Sequence, residues 1–378
     1  MLQLPPLSLY IHIPWCVRKC PYCDFNSHQA GDRIPEQAYV RKLIADLRTD
    51  KHWAQGRKLH SIFFGGGTPS LFSAAGIGEI LSAAEQIIGF ESDIEITLEA
   101  NPGTFEQEKF AGFMSAGINR LSIGIQSFDS NHLQRLGRIH DADQALKAIV
   151  TARTAGFTNF NIDLMHGLPQ QSLQQAESDV KLAIDNGAQH ISWYQLTIEP
   201  NTEFYSKPPL LPNDDRLADI QQAGTALLNA NGFKQYEVSA FARNGQVSRH
   251  NMNYWQFGDY LGIGAGAHGK ITLPQHNQVV RTSKTRQPDN YLARQESMIA
   301  QQNSIEPDQM AVEFMMNGLR LKEGVPAEFF SARTGLDRAN IKTQISNLQR
   351  QGLIESNPDR YSTTALGYQF LNTVLESF

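Results

Sequence analysis

Apolar and polar residues alternate strictly from Leu7 through Ser8, Leu9, Tyr10, Ile11 and His12 to Ile13, the period of a strand with one face buried. Five more β-like runs follow: Ser61 to Phe64, Asp93 to Leu98, Arg120 to Ile125, Asn159 to Met165 and His190 to Thr197. A helical pattern follows each. After the first run Val40, Leu43, Ile44 and Leu47 fall at i, i+3, i+4 and i+7, one face of a helix. Thr104-x-x-Gln107 and Ser172-x-x-Gln175 read as capping boxes, and Gly89, Gly117, Gly156, Gly187 and Gly232 stand where helices end in a left-handed residue. Strict β/α alternation predicts an α/β fold with a parallel sheet and helical crossovers.

Periodicity alone leaves a doubly wound sheet and a partial barrel open. The polar punctuation favours the barrel. Cys16 to Cys23, Gly65-Gly66-Gly67-Thr68, Glu99-Ala-Asn101-Pro102, Gln126-Ser127 and Asp163 with His166-Gly167 all fall at or just beyond carboxyl ends of predicted strands. Contributions from five strands suit a barrel rim better than a single crevice. The expected organisation is a barrel over residues 1–235, an accessory segment over 236–303 and a winged-helix-like, α-rich unit over 304–378. Pro200, Pro208, Pro209 and Pro212 mark the stretch from about 199 to 213 as an extended connector. Residues 236–300 lose the rhythm and read as an accessory layer packed on the barrel. The last unit shows helical patterns over 307–321, 326–333 and 337–351, a short ribbon around Asn357-Pro358-Asp359 and a final helix from Thr364.

Composition narrows the function. Of 378 residues 41% are hydrophobic, as in an ordinary globule, and no stretch approaches the ~20 apolar residues of a bilayer span. The expected setting is cytoplasmic. A net charge of −5 offers no general attraction to nucleic acid, and residues 306–378 carry seven Lys and Arg against nine Asp and Glu. A packing or docking role suits that unit better than DNA reading.

Cys16, Cys20 and Cys23 are the only cysteines, in a C-x3-C-x2-C pattern. An odd number in one short stretch excludes a closed disulfide framework and points to a reducing compartment. Thiolates ligate iron–sulfur clusters, and three of them on a four-iron cubane leave one iron open. A zinc site of three thiolates and His28, in a zinc-stabilised interaction protein, is the alternative.

Tyr10-Ile-His12-Ile-Pro-Trp-Cys16-x3-Cys20-x-Tyr22-Cys23 followed by Gly65-Gly-Gly67-Thr68-Pro69 resembles the radical S-adenosylmethionine (SAM) superfamily, which joins a three-cysteine [4Fe-4S] cluster to a partial (β/α)6 barrel. Glu99-x-Asn-Pro, Ile125-Gln126-Ser-Phe, Arg138-Ile-His140, Asp163-Leu-Met and the closing winged helix resemble its oxygen-independent coproporphyrinogen III oxidase branch, and within it the heme chaperones. The resemblance implies that SAM chelates the open iron and contacts Tyr10, Gly66 and Glu99. Tyr22, Gly67, Thr68, Gln126, Arg138 and Asp163 match positions that hold a second SAM in the oxidase. Residue by residue, simpler readings remain: a tight turn at the glycines, a helix-start carboxylate at Glu99, an Arg138–Asp163 salt bridge. Gly264-x-Gly266-x-x-Gly269 lacks the strand–helix frame of a dinucleotide loop, and the resemblance places it near the adenine instead.

Two departures speak against decarboxylation of a porphyrinogen. Phe25 stands where the oxidase motif has a further cysteine, and only nine residues precede Tyr10. His250-Asn251-Met252-Asn253-Tyr254-Trp255 resembles the H-N-x-x-Y-W signature of the heme chaperones and implies His250 as a heme ligand; a core histidine beside packed aromatics is the alternative. His12, His140, His166 and His268 are rim or core histidines without an assigned role. The resemblance implies heme-accepting proteins, hemoproteins of respiration, as partners, and suggests a homodimer and weak membrane association that the residues themselves do not display.

Overall fold

A computed structural model describes residues 2–31, 33–103 and 108–378. All six predicted runs are strands: β1 (Leu7–Ile13), β2 (Leu59–Gly66), β3 (Phe90–Ala100), β4 (Arg120–Gln126), β5 (Phe160–His166) and β6 (His190–Gln195). They pair in chain order, each parallel to the next. A doubly wound sheet reverses strand order part-way, which these six strands do not. Crossovers of one hand then keep the helices on one face, and the sheet curves as a partial barrel wall.

Helix α1 (Glu36–Asp50) buries Val40, Leu43, Ile44 and Leu47, the predicted face. Helices α2 (Ala74–Ile87), α3 (Phe110–Ser115), α4 (Ala142–Thr154), α5 (Leu173–Asp185) and α6 (Asp214–Ala230) complete the outer layer. The Ser172/Gln175 capping box opens α5, and an unpredicted one, Asp141/Gln144, opens α4. The Thr104/Gln107 box lies outside the described residues. The connector after β6 carries one four-residue helix, Glu203–Ser206, capped by Thr202.

Residues 234–304 build on the barrel's own sheet. They lengthen the same sheet at both edges. Strands β7 (Lys234–Glu237) and β8 (Ala240–Ala242) join β6 antiparallel, whereas β9 (Asp259–Ile263) pairs parallel with β1 and carries β10 (His268–Leu273), β11 (Gln278–Lys284) and β12 (Ile299–Ser304) outward. Between them helix α7 (Arg249–Trp255) packs on β1, β2 and β9.

The C-terminal unit has helices α8 (Pro307–Gly318), α9 (Ala327–Thr334) and α10 (Lys342–Arg350). Its ribbon pairs Val325–Pro326 with Arg360–Tyr361. The predicted first helix stops at Gly318, short of Leu321. Phe314, Phe330, Ile341 and Leu348 form a core of their own, which Leu2, Phe257 and Val279 join from outside the unit. No helix among the described residues is long and apolar enough to cross a membrane.

Candidate functional site

The cysteines lie on the loop that leaves β1, and the glycine turn after β2 fixes that loop. Gly67 N donates to Ile13 O at 2.8 Å and Thr68 N to Trp15 O at 2.7 Å. A Cβ on Gly67 would stand 2.5 Å from Trp15 O, and one on Gly66, whose φ is +114°, 2.5 Å from the His12 ring. The glycines therefore let two backbones approach, whatever else they serve. On the other side His28 N donates to Pro14 O and Ala30 N to Cys16 O, closing the loop into a pocket wall.

All three thiols are unpaired and partly accessible, and they line one cavity of about 380 Å³. Tyr22, Gly66, Gly67, Thr68, Glu99, Gln126, Arg138 and Asp163 line it too. Tyr10 faces an adjoining cavity of about 770 Å³ whose wall shares Gly66 and Glu99 with the first. His250 belongs to neither; it lines a smaller space of about 240 Å³ beneath them.

Arg138 is the hub of the cysteine cavity. Its Nη2 donates to Asn101 Oδ1 at 2.6 Å and Gly124 O at 2.7 Å, and its Nη1 reaches Cys20 Sγ at 3.6 Å. Asn101 in turn donates to Thr68 Oγ1 at 2.9 Å. The Arg138–Asp163 salt bridge is not formed: Asp163 accepts from Ser122 Oγ at 3.0 Å and Asn161 Nδ2 at 2.7 Å. Glu99 faces the glycine turn, and the helix start that its motif predicts lies outside the described residues. Its Oε2 accepts from Gly66 N at 3.3 Å, and burial, then the nearby Asp163, pushes its carboxyl up to about 8. Gln126 takes a left-handed φ of +71° and accepts from Tyr194 OH at 2.8 Å.

Sequence reading did not single out Asn101 and Tyr194. Asn101 was visible inside the Glu99-x-Asn-Pro motif. Tyr194 had one signal, its parity on β6 with Ser192, and both line the cysteine cavity.

His250 lies buried on helix α7, packed between Phe63 and Tyr254. The ring is 1% exposed, with Nδ1 2.9 Å from Ser61 Oγ and Nε2 2.8 Å from Tyr254 OH. Both ring nitrogens have a hydroxyl partner. Spacing explains the motif: i and i+4 on a helix put Tyr254 over His250, and Asn253 reaches Ser8 Oγ and Asp259 O. Burial, Arg120 and His60 push the His250 imidazole down to about 3. His12, His140 and His166 are buried as well, whereas His268 is exposed on the wall of the larger cavity.

The thiols suit a cluster better than a single ion. His28 Nε2 sits 3.3 Å from Asn26 Oδ1, and no three His, Cys, Asp or Glu side chains among the described residues gather closely enough for one metal ion. A cubane takes each thiolate on a different iron, and a guanidinium on one sulfur matches its negative charge.

The sequence pattern of the radical SAM superfamily matches residues 10–183, and that of the HemN C-terminal domain matches 305–370. Aligned over all of this chain and 99% of its relative, the sequence is 53% identical to the heme chaperone HemW of Haemophilus influenzae. The chain belongs to the HemW family of the radical SAM superfamily. HemW of Escherichia coli is 49% identical over the whole chain and 99% of its own length. A mouse mitochondrial radical SAM domain-containing protein 1 is 41% identical over 75% of this chain and 66% of its own. The solved coproporphyrinogen III oxidase HemN of E. coli superposes with a TM-score of 0.82 over 99% of this chain and 90% of its own. At 22% identity that likeness carries the fold alone, so the HemW relatives carry the family.

Proposed function

We propose that this HemW-family chain holds a [4Fe-4S] cluster through Cys16, Cys20 and Cys23, binds SAM beside it, and binds heme for delivery to heme-accepting proteins in a reducing cytoplasm. One observation carries the reading: three unpaired thiols and the Gly66–Glu99 pair share a single cavity, with Arg138 on Cys20. When bound, the cluster supplies an iron with a coordination position that no thiolate fills.

This chain's residues then do the positioning. Gly66 leaves room for a ligand at the wall, and the carboxyl of Glu99, protonated at neutral pH by its burial, ionises beside a ligand's cationic group. Tyr10 borders the same space from β1. The residues that match the oxidase's second SAM site spend their polar atoms inside the protein: Gln126 on Tyr194, Thr68 on Asn101, Asp163 on Ser122 and Asn161. That favours a supporting role for them here.

The rival reading is a coproporphyrinogen III oxidase. Phe25, in place of the oxidase's extra cysteine, is 62% exposed at the border of both cavities. Anaerobic titration of the cluster-loaded protein with heme is expected to give a Soret band, with iron and labile sulfide by elemental analysis. Formation of protoporphyrinogen from coproporphyrinogen III with dithionite and SAM overturns the proposal, and so does a colourless, zinc-containing protein.

A further inference from the structure

We infer that the 240 Å³ space beneath the two larger cavities is a binding site for a small carboxylate, held by the guanidinium of Arg120 and the side-chain amide of Asn251. The site is separate from the cluster, SAM and heme readings above and stands without them.

Arg120 opens β4 with its side chain inside the barrel, where it is 2% exposed. It enters no ion pair or hydrogen bond among the described residues, and its Nε is enclosed without a partner, which leaves the Nη groups for the space that the side chain lines. A buried histidine relieves such a position by staying neutral, as His190 and His250 on the same wall do under burial and the Arg120 charge. Arginine cannot give up its proton. A buried cation is costly unless it is paired, so the barrel has either to supply a counter-charge or to leave room for one.

The carboxyl groups nearby are committed elsewhere. Asp163 accepts from Ser122 Oγ and Asn161 Nδ2, and Glu95 accepts from the Arg249 and His250 amides that open α7, at 3.1 Å each. Glu99 is held neutral by burial. Asn251 supplies a second free donor. Its backbone N–H is spent on Ser248 Oγ at 3.3 Å, whereas its side-chain amide has no hydrogen bond among the described residues. One donor thus comes from the barrel wall and the other from helix α7, and both line the same space.

Size sets the ligand class. The space is smaller than the roughly 300 Å³ at which pockets for small organic ligands begin, too small for a macrocycle or a nucleoside. A carboxylate of a few heavy atoms fits, and its two oxygens match the fork of a guanidinium. Tyr10 and Glu99 line both this space and the 770 Å³ cavity, which gives so small an ion a way in.

Calorimetric titration of the cluster-loaded full chain with formate at neutral pH tests this, with gluconate, the same charged group on a chain too long for the space, as competitor. Saturable formate binding that gluconate does not displace is expected. Arg120→Gln that remains folded by circular dichroism should bind formate at least tenfold more weakly, and Asn251→Ala about threefold more weakly. Should Arg120→Gln not fold, Arg120→Lys keeps the charge and loses the fork, and the tenfold loss is expected there. The absence of saturable binding, which would mean a space filled by water only, overturns the site. Affinity equal to the parent's in the folded Arg120 variant or in Asn251→Ala, or displacement by gluconate, overturns it too.

Discussion

Asn26 Nδ2 donates to Ala265 O at 2.9 Å, tying the cysteine loop to a loop 239 residues further along the chain. The same amide donates to Arg286 O at 2.9 Å, and the Asn26 carbonyl accepts from His12 Nε2 at 2.8 Å. Gly266 makes the approach feasible, since a Cβ there would lie 2.2 Å from Asn26 Nδ2. One side chain thus joins the wall that carries the thiols to the wall of the neighbouring cavity.

Replacing Asn26 with Ala removes both amide donors and leaves two carbonyls short of a partner. The expected loss is about 1 to 3 kcal/mol in denaturant unfolding of the chain, together with faster release of iron to a chelator. Unaltered iron release would show that the loop holds its shape without this tie.

Gly67→Ala is expected to act on the cysteines although it touches none of them. Its Cβ meets Trp15 O, a backbone atom that cannot swing aside. The loop must shift, and reconstituted iron and sulfide per chain should fall well below the parent's while the far-UV spectrum stays the same. Full cluster content in this variant would contradict the packing argument.

Acid should unfold the cluster-free chain partly through its buried imidazoles. In the folded state His250 titrates at about 3 and His12, His140 and His166 at about 4, against 6.5 when unfolded. Between those values the unfolded chain binds more protons, so stability rises with pH and is lost as pH falls from about 6.5 toward 3 to 4. His250→Asn should be less stable at pH 7 but show a shallower decline in acid, by about one proton in the slope. Unfolding midpoints from pH 7 to pH 4 check this.

Arg138→Met leaves Cys16, Cys20 and Cys23 in place but strips a donor from Cys20 Sγ. The cluster is expected to assemble and to become harder to reduce, because a cation beside the sulfurs favours the more negative state. Redox titration followed by EPR measures the shift. A potential equal to the parent's would mean that the guanidinium serves Asn101 and Gly124 only.

The barrel was readable because its signals are local. Strands such as Leu7–Ile13 announce themselves by alternation, and Ser172 and Gln175 cap a helix within four residues. That the three cysteines share one cavity was readable from their spacing. The outer strands were not: Ile299–Ser304 exposes nearly every side chain and is held by backbone pairing to β11, which leaves no apolar pattern. The surroundings of His250 were hidden for a different reason. Its partner Ser61 lies 189 residues away, and sequence spacing cannot tell an imidazole that is bonded on both sides from one offered to a metal.

Strand β1 is made early in synthesis, yet it ends up in the middle of the sheet, between β2 and β9. One of its edges therefore stays bare until residue 263 has emerged, and the thiols that follow it wait as long for their second wall. On the proposed function, cluster assembly then waits for a chain grown past residue 263, and one truncated before it would carry the thiols without the wall that encloses them.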